Sequence, residues 1–315
     1  MAERAVRLTD LDLGDVPWGV ALVEAGEVVS TDHRLPDDGD VEIGSVSKGV
    51  TALLHRDAIA RGEVTADDLL QQHLPLADCP AGGVTLGSLA QHRSGLPRLP
   101  RIPDMAARSW RLWRQGANPY GDTLAELLEQ TRATKVGRPR ASYSNLGFEL
   151  LGHALAAAAG TSYAELVRTR VAEPLGLRSW YVPATQAELS PRAVPGTARG
   201  GRTAEAWTGE GIGPAGGIRS TLGDLGRLAA ALLDGTAPGV AALEPTASFA
   251  GPAVRIGDAW LTSTVRGRSI TWHNGGTGGW RSFVGIDRDA RRGVVVVRAT
   301  TRSVDRVGMD LLAPR

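Results

Sequence analysis

The carboxy-terminal part of the chain carries three strand patterns that are joined by very short connections. Apolar, β-branched and aromatic residues recur over 268–272, 280–287 and 293–300. Neighbouring parallel strands need a crossover of about a dozen residues or more, and these connections are shorter than that. The three segments are therefore predicted to form an antiparallel meander, with a short helix over about 304–312 after it.

Strand patterns also occur near the beginning of the chain. Residues 18–24 and 27–31 flank a short turn that contains Gly26, as the arms of a β-hairpin do. From Ser45 onward the apolar residues follow a helical period instead, and Gly62 ends that helix. Further helices, broken by Gly and Pro, are predicted over 123–131, 147–159, 163–171 and 221–233.

Strands at both ends of the chain and helices in the middle predict an α+β fold. We expect an antiparallel sheet built from both chain ends and flanked by helices, with a mostly helical lobe inserted. Residues 1–315 form one unit in this prediction, with an α/β lobe over about 1–60 and 205–315 and a helical lobe over about 61–204. The cleft between the two lobes is the expected ligand site.

The charge balance excludes partners that are held mainly by charge. Thirty-five Lys and Arg residues against 34 Asp and Glu residues leave a formal net charge of +1. That charge is too small to hold nucleic acid or an anionic membrane. The histidines outside the motifs described below and Cys79 lack the spacing of metal ligands, so neither a metal nor another cofactor is expected.

The apolar segments are short throughout the chain. A secretory signal needs an apolar segment of about 7–15 residues, and a membrane span needs about 18. The first residues contain no such segment, and Val294–Val297 is among the longest apolar runs. The single cysteine, Cys79, cannot form an intramolecular disulfide. These features predict a cytoplasmic protein that does not associate with a membrane.

Lysine is almost absent from this sequence. Lys48 and Lys135 are the two lysines, and arginine supplies the other basic side chains. An arginine side chain is never deprotonated in a protein, whereas a lysine can lose its proton. A lysine that is retained in such a sequence is therefore a candidate for proton transfer, although a leftover surface residue is the ordinary alternative.

Lys48 belongs to an S-x-x-K motif at the start of a predicted helix. Ser45 and Lys48 are three residues apart, which places both side chains on one helical face. A serine hydroxyl becomes a good nucleophile when a neighbouring base takes its proton, and a desolvated lysine amine is such a base. A helix-capping serine beside a surface lysine would give the same pattern.

Two other segments carry polar residues near predicted element boundaries. Tyr143 and Asn145 are two residues apart in a loop, so both can enter one cleft, although a capping Asn beside a packed Tyr is the alternative. The segment 273–279 follows a predicted strand and is rich in glycine, which allows a ligand to approach the backbone. A simple glycine-rich hairpin is the alternative there.

Taken in order, these segments resemble the class C β-lactamase-like serine hydrolases. The resemblance covers nearly the whole chain and implies a β-lactamase/DD-peptidase-like fold. It is carried by GSVSK at 44–48, HRSGLP at 92–97, YSNLG at 143–147, PLGL at 174–177, PAGG at 214–217 and HNGGTGG at 273–279.

The resemblance implies a role for each matching residue. Ser45 is the nucleophile, Lys48 and Tyr143 share its proton and return it to the leaving group, and Asn145 orients the lysine and the acyl chain. The backbone N–H groups of Ser45 and Gly276 would form the oxyanion hole. Gly275 lies beside Gly276 in the implied substrate-binding segment, and Trp110 and Trp113 would border the acyl pocket.

His273 departs from the lysine of the K-T-G motif found in related enzymes. A neutral imidazole would hold the carboxylate of a β-lactam or cell-wall peptide weakly. We therefore expect an ester or amide substrate that lacks this carboxylate.

The sequence thus predicts a serine-dependent acyl-transfer enzyme that acts on an ester or amide of a small metabolite. Water, an amine or an alcohol would accept the acyl group. A D-amino-acid peptidase, a weak β-lactamase and a non-catalytic ligand-binding module on the same fold are the alternatives. The G-x-G-x-x-G at 211–216 follows polar residues rather than a strand, which disfavours a nucleotide site. No G-x-S-x-G motif supports an α/β-hydrolase, and the oligomeric state stays open.

Overall fold

The computed structural model describes residue 8, residues 11–100 and residues 104–314. Strands are numbered in chain order: β1 Trp18–Glu24, β2 Glu27–His33, β3 Val41–Glu42, β4 Arg219–Ser220, β5 Ala247–Ala250, β6 Val254–Ile256, β7 Leu261–Val265, β8 Arg268–Gly276, β9 Arg281–Asp287 and β10 Arg292–Arg298. An 8-stranded sheet has the order β2-β1-β10-β9-β8-β7-β6-β5, and β3 pairs with β4. Neighbouring strands in the large sheet are antiparallel.

Both ends of the chain contribute to the large sheet, as predicted. β1 pairs with β10 in the register Trp18↔Arg298, and β8, β9 and β10 form the predicted meander. β8 extends beyond its predicted end, because Gly276 still pairs with Arg281. The glycine-rich segment is therefore strand up to Gly276, and the turn follows it.

Strands β5 to β7 were not predicted from the sequence. They are short, and most of their residues are at least partly exposed. Because their side chains lack a clear apolar alternation, they carry little local strand signal. Their position at the end of the meander is decided by pairing, since β7 pairs with β8, β6 with β7 and β5 with β6.

Helices are numbered in the same way: α1 Val46–Ala60, α2 Leu86–Ala90, α3 Met105–Gln115, α4 Leu124–Arg132, α5 Asn145–Ala158, α6 Tyr163–Val167, α7 Leu222–Asp234 and α8 Asp305–Leu312. The predicted helices over 123–131, 147–159, 221–233 and 304–312 agree with α4, α5, α7 and α8 within one or two residues. The predicted helix over 163–171 is divided into α6 and a π-helical turn, Arg168–Ala172.

The large sheet is covered on both faces. Val295 and Val297 of β10 belong to the main apolar core, whereas Val294 and Val296 belong to a second core with Phe283. Successive side chains of a strand point to opposite faces, so a continuous valine run serves a sheet that is buried on both sides. α7 packs on the first face and α8 on the second.

Helix α1 lies between the sheet and the helical segments. It contacts β8 and β9 on one side, and α5 and the π-helical turn Gly213–Gly217 on the other. Because the first turns of α1 are buried between these elements, residue 45 lies at the junction of the sheet and the helices. The lobe limits near residues 60 and 205 stay a prediction.

Within the described residues, none of the helices combines the length and the apolar character that crossing a membrane requires.

Candidate active site

The Ser45 hydroxyl is directed at Lys48 rather than used to cap its helix. Ser45 precedes α1, and its side chain accepts no hydrogen bond from the first turn of that helix. Lys48 Nζ lies 3.1 Å from Ser45 Oγ, within hydrogen-bond distance. A capping serine would accept from a backbone N–H two or three residues on. The capping alternative is therefore wrong for Ser45.

Lys48 is buried, so it is not a leftover surface residue. Its relative exposure is 0%, and its amine donates to the carbonyl oxygen of Ala215 in the turn Gly213–Gly217. That turn is held against α1, because the Thr51 hydroxyl donates to the carbonyl of Pro214 at 2.7 Å. Among the ion pairs of the described residues, none joins Lys48 to a carboxylate. An amine held in this way can act as a base toward Ser45.

The glycine-rich segment around Ala215 supports Lys48. Residues 211–216 include the G-x-G-x-x-G pattern, and here the end of that pattern forms the π-helical turn against α1 and α5. The sequence pattern matched the family at PAGG, but nothing local showed that its carbonyl would face a lysine 167 residues away.

Tyr143 lies beside the lysine. Lys48 Nζ is 4.9 Å from the centroid of the Tyr143 ring, and the Arg98 guanidinium is 5.3 Å from it. Within the part of the chain that the structure describes, no hydrogen bond engages the Tyr143 hydroxyl. The structure thus brings Ser45, Lys48 and Tyr143 together, with the phenol oxygen open to a substrate.

His92 holds the loop that carries Tyr143. Its ring lies 4.5 Å from the Tyr143 ring, centroid to centroid, and its Nδ1 accepts a hydrogen bond of 3.1 Å from the backbone N–H of Ser144. Burial, with the nearby charge of Lys48, lowers the pKa of His92 well below its usual range. A neutral ring with Nδ1 as acceptor fits this bond. Sequence reasoning matched His92 to a motif but assigned it no role.

Asn145 begins α5, and Ser144 rather than Asn145 caps this helix. The Ser144 hydroxyl accepts from the N–H of Gly147 at 2.9 Å, so the capping alternative for Asn145 is wrong. Asn145 Nδ2 donates to the Tyr120 hydroxyl at 3.0 Å, and its Oδ1 is buried without a hydrogen-bond partner. Orientation of the lysine by Asn145 stays a prediction.

The end of β8 approaches the backbone before Ser45 very closely. A Cβ atom on Gly44, whose φ is +51°, would lie 2.6 Å from the backbone N of Gly276. A Cβ on Gly275 would lie 2.0 Å from the carbonyl oxygen of Ile43. β7 pairs with β8 only up to Trp272, so the N–H of Gly276 lies on an edge that β7 does not cover. This approach fits the predicted oxyanion hole, which stays a prediction.

His273 is a neutral hydrogen-bond acceptor in this site. Its Nδ1 lies 2.7 Å from the carbonyl oxygen of Asn274, which can only accept, so Nδ1 carries the hydrogen and Nε2 is bare. Burial and the charge of Lys48 lower the pKa of His273 to about 4. His273, which stands where the K-T-G motif has its lysine, is therefore uncharged near neutral pH.

Trp110 and Trp113 lie on the outer surface of α3. Their relative exposures are 55% and 58%, and the guanidinium of Arg199 lies 5.5 Å from the Trp113 ring. Leu112 lies between them and approaches Gly278 in the β8–β9 turn. α3 therefore borders the site through Leu112, and the acyl-pocket role of the two tryptophans stays a prediction.

Glu149 is a buried carboxyl group behind the site that sequence reasoning missed. It lies one turn after Asn145 on α5, where residues i and i+4 share a face. Glu149 lines a cavity of about 20 Å³ together with Tyr120 and Asp122. Burial raises the pKa of Glu149 to about 8, although the nearby Lys48 opposes this rise. Glu149 is therefore largely protonated at neutral pH.

We expect the Glu149→Gln variant to become more stable relative to the wild type as the pH rises. The folded protein keeps the Glu149 proton up to about pH 8, whereas the unfolded chain loses it near 4.5. The wild-type stability therefore falls across this window, by at most about 1.4 kcal/mol per pH unit from this group.

Thermal or urea unfolding of both proteins between pH 5 and pH 8 measures this difference. Glu129→Gln is the matched control, because Glu129 is an exposed surface residue. A difference between Glu149→Gln and the wild type that does not change with pH would contradict the raised pKa.

The match to a protein family covers almost the entire chain. The model of the family described as Beta-lactamase matches residues 14–313. The chain belongs to the Beta-lactamase family. The resemblance seen in the sequence is thereby confirmed, and the chain is a member of a serine-hydrolase family.

The curated relatives of this Beta-lactamase family member are longer than the chain. The D-alanyl-D-alanine-carboxypeptidase/endopeptidase AmpH of Escherichia coli (strain K12) is 32% identical over 151 residues, which are 46% of this chain and 38% of that protein. Putative beta-lactamase-like 1 of Homo sapiens is 29% identical over 296 residues, which are 86% of this chain and 55% of that protein. The chain thus spans less than two thirds of each of these relatives.

Solved structures of other proteins show the same fold. A class C beta lactamase from Rhodobacter sphaeroides superposes with a TM-score of 0.76 at 21% identity, covering 94% of this chain and 93% of that one. The octameric penicillin-binding protein homologue from Pyrococcus abyssi gives a TM-score of 0.79 at 21% identity, covering 95% and 73%. The predicted β-lactamase/DD-peptidase-like fold is confirmed.

Proposed function

We propose that this chain is a serine-dependent acyl-transfer enzyme that forms a covalent acyl-enzyme on Ser45. The contact between the Lys48 amine and the uncapped Ser45 hydroxyl, at 3.1 Å, carries the proposal. Lys48 is fully buried and forms no ion pair among the described residues, and burial of such a cation costs stability. A module that only binds a ligand would have no reason to retain this lysine. This argues against the non-catalytic alternative.

The geometry supports a two-step reaction. Lys48 Nζ donates to the carbonyl of Ala215 and lies 3.1 Å from Ser45 Oγ, a distance at which its neutral form would accept the Ser45 proton. Lys48 takes the hydroxyl proton while Oγ attacks the substrate carbonyl, and the N–H groups of Ser45 and Gly276 stabilise the oxyanion. Tyr143 and Lys48 pass the proton to the leaving group. The acceptor then loses a proton to the same pair and attacks the acyl carbon. The bond from that carbon to Ser45 Oγ breaks, and the pair returns the proton to Oγ.

The substrate class follows from the uncharged His273. A bare Nε2 attracts an N–H or O–H group and repels a carboxylate, so we propose an ester or amide of a small metabolite without a carboxylate at this position. A D-amino-acid peptidase is the second candidate, since the name of the Escherichia coli relative includes carboxypeptidase. A weak β-lactamase is the third.

Water is the acyl acceptor that we propose. Trp110 and Trp113 are more than half exposed, which argues against their shielding an acyl group from water. A transferase would need a site that excludes water. Adding millimolar amines to an activated-ester assay tests this, because conversion of most product to amide would make the enzyme a transacylase.

We expect measurable cleavage of short p-nitrophenyl esters and poor turnover of nitrocefin. The ester needs only the nucleophile and the oxyanion donors, whereas nitrocefin carries a carboxylate that neutral His273 does not attract. Release of p-nitrophenol and of hydrolysed nitrocefin, each corrected for a Ser45→Ala control, measures both activities. Efficient nitrocefin turnover would show that another residue binds the carboxylate.

A further inference from the structure

A cationic groove lies beside the loop that carries Tyr143. Its volume is about 640 Å³, and residues 95–97, 134–138, 140 and 142 line it. Its charged lining residues are Lys135, Arg138 and Arg140, and none of its lining residues is acidic. The groove therefore concentrates positive charge on a protein whose formal net charge is only +1.

These cations differ in their surroundings from the arginines of the chain that form ion pairs. Arg108, Arg170 and Arg219, for example, each pair with carboxylates. Among the ion pairs of the described ranges, none includes Lys135, Arg138 or Arg140. A cluster of basic side chains without acidic partners, such as this one, attracts an anionic ligand.

The walls of the groove are the loops that hold the catalytic tyrosine. The N–H of Gly137 donates to the carbonyl of Gly95 at 2.8 Å, and the N–H of Ser142 donates to the carbonyl of His92 at 2.9 Å. The Ser144 hydroxyl donates to the carbonyl of Pro97 at 2.7 Å. The groove and Tyr143 are therefore parts of one rigidly bonded pair of loops.

Arg98 extends the positive charge from this pair of loops to the reaction centre. Its carbonyl accepts the N–H of Asn145 at 2.9 Å, and its guanidinium lies 5.3 Å from the Tyr143 ring centroid. In the proposed mechanism Tyr143 delivers the proton to the leaving group. Arg98 thus lies on the side where the leaving group departs, and the groove adjoins the loop that carries Tyr143. His273 is neutral and supplies no positive charge there.

The size and charge of the groove point to a ligand larger than a single carboxylate. Sites of about 300–1,000 Å³ hold small molecules of drug or nucleotide size. Guanidinium groups match phosphate oxygens in paired hydrogen bonds, and several of them together suit more than one phosphoryl charge.

We propose that this groove binds phosphate groups of the leaving group, so that the acyl donor is an ester or thioester of a phosphorylated alcohol or thiol. The inference rests on the proposed acyl-enzyme mechanism for the side on which the leaving group lies. The bond from Ser45 Oγ to the acyl carbon forms, and the bond from that carbon to the leaving sulfur or oxygen breaks. The Ser45 proton reaches the leaving atom through Lys48 and Tyr143, so no further reactant is needed.

Three thioesters with one acyl group and different leaving groups test the proposal. Acetyl-coenzyme A carries phosphates, S-acetylpantetheine has the same thiol arm without the phosphates and the adenosine, and S-acetyl-N-acetylcysteine carries a single carboxylate. We expect kcat/KM for acetyl-coenzyme A to exceed that for S-acetylpantetheine by about 10–100-fold, the scale of one or two charge-assisted hydrogen bonds. Equal values for these two, or an equal value for the carboxylate thioester, would overturn the proposal.

The double variant R138Q/R140Q is expected to lose this preference and to keep the wild-type kcat/KM for S-acetylpantetheine. R288Q/R291Q is the matched control, because it removes the same charge at the β9–β10 turn, at the opposite end of β9 from the β8–β9 turn. Retention of the preference in R138Q/R140Q, or its loss in the control variant, would overturn the assignment to the groove.

Binding of coenzyme A to the Ser45→Ala variant, measured by calorimetry, separates this proposal from the proposed function. Binding that weakens in R138Q/R140Q, without turnover of any ester by the wild type, would keep the anion site and overturn the acyl-transfer mechanism. Fluorophosphonate labelling of Ser45 without coenzyme A binding would keep the mechanism and overturn the anion site.

Discussion

The Ser45→Ala variant is expected to lose both turnover and labelling by a fluorophosphonate probe. Ser45 Oγ is the hydroxyl that Lys48 contacts, and the hydroxyls of Ser47 and Thr51 on the same helix are engaged in hydrogen bonds. Ser47 Oγ accepts the N–H of Ile218 at 3.2 Å, and Thr51 Oγ1 donates to the carbonyl of Pro214 at 2.7 Å. Neither of these two hydroxyls is free to replace Ser45, and the Tyr143 hydroxyl has the proton-transfer role in the proposed mechanism, so a loss of about 10³-fold or more is expected.

Intact mass after probe incubation and the rate of ester cleavage measure this effect. Ser47→Ala is the matched control, since it removes a nearby hydroxyl that the mechanism does not use. We expect it to lose about 1 kcal/mol of stability with its hydrogen bond, and to remain labelled at Ser45. Labelling of the Ser45→Ala protein to the wild-type extent would falsify the nucleophile assignment.

The Lys48→Arg variant is expected to be nearly as inactive as Lys48→Ala. Arginine keeps the positive charge, but it cannot supply an unprotonated nitrogen to accept the Ser45 proton. Loss of such a general base costs about 10²–10⁴-fold in rate. The second-order rate of fluorophosphonate labelling and kcat/KM for a p-nitrophenyl ester measure the loss.

Lys135→Arg is the matched control, because it makes the same change at the other lysine of the chain. Lys135 lines the cationic groove and keeps its charge in this variant, so activity on a neutral ester should stay at the wild-type level. Because Lys48 is buried, circular dichroism and the unfolding midpoint of each Lys48 variant must show a folded protein. A folded Lys48→Arg enzyme with near wild-type activity would reduce Lys48 to an electrostatic partner.

The candidate site is assembled from segments that lie far apart in the chain. Ser45 and Lys48 come from the start of α1, the carbonyl of Ala215 from a π-helical turn, and Tyr143 from the loop before α5. Gly276 comes from the end of β8. Only the packing of α1 between the sheet and the helices brings these groups together, so the catalytic geometry depends on the whole fold.

Local patterns in the sequence predicted much of the fold. The antiparallel meander followed from connections too short for a parallel crossover, and the structure confirms it in β8, β9 and β10. The helical spacing of Ser45 and Lys48 followed from sequence separation alone. Strands β5 to β7 escaped prediction, because their short and partly exposed segments are stabilised by pairing rather than by their own residues.

What the sequence by itself determined is therefore the set of residue types, their order and their local spacing, since periodicity and turn chemistry depend on near neighbours. Only the tertiary structure decided that Lys48 is buried, that Ser45 does not cap its helix, and that Glu149 lies behind the site with a raised pKa. Burial and long-range hydrogen bonds depend on groups many residues away. The burial of Lys48 and Glu149 is therefore a property of the packed fold.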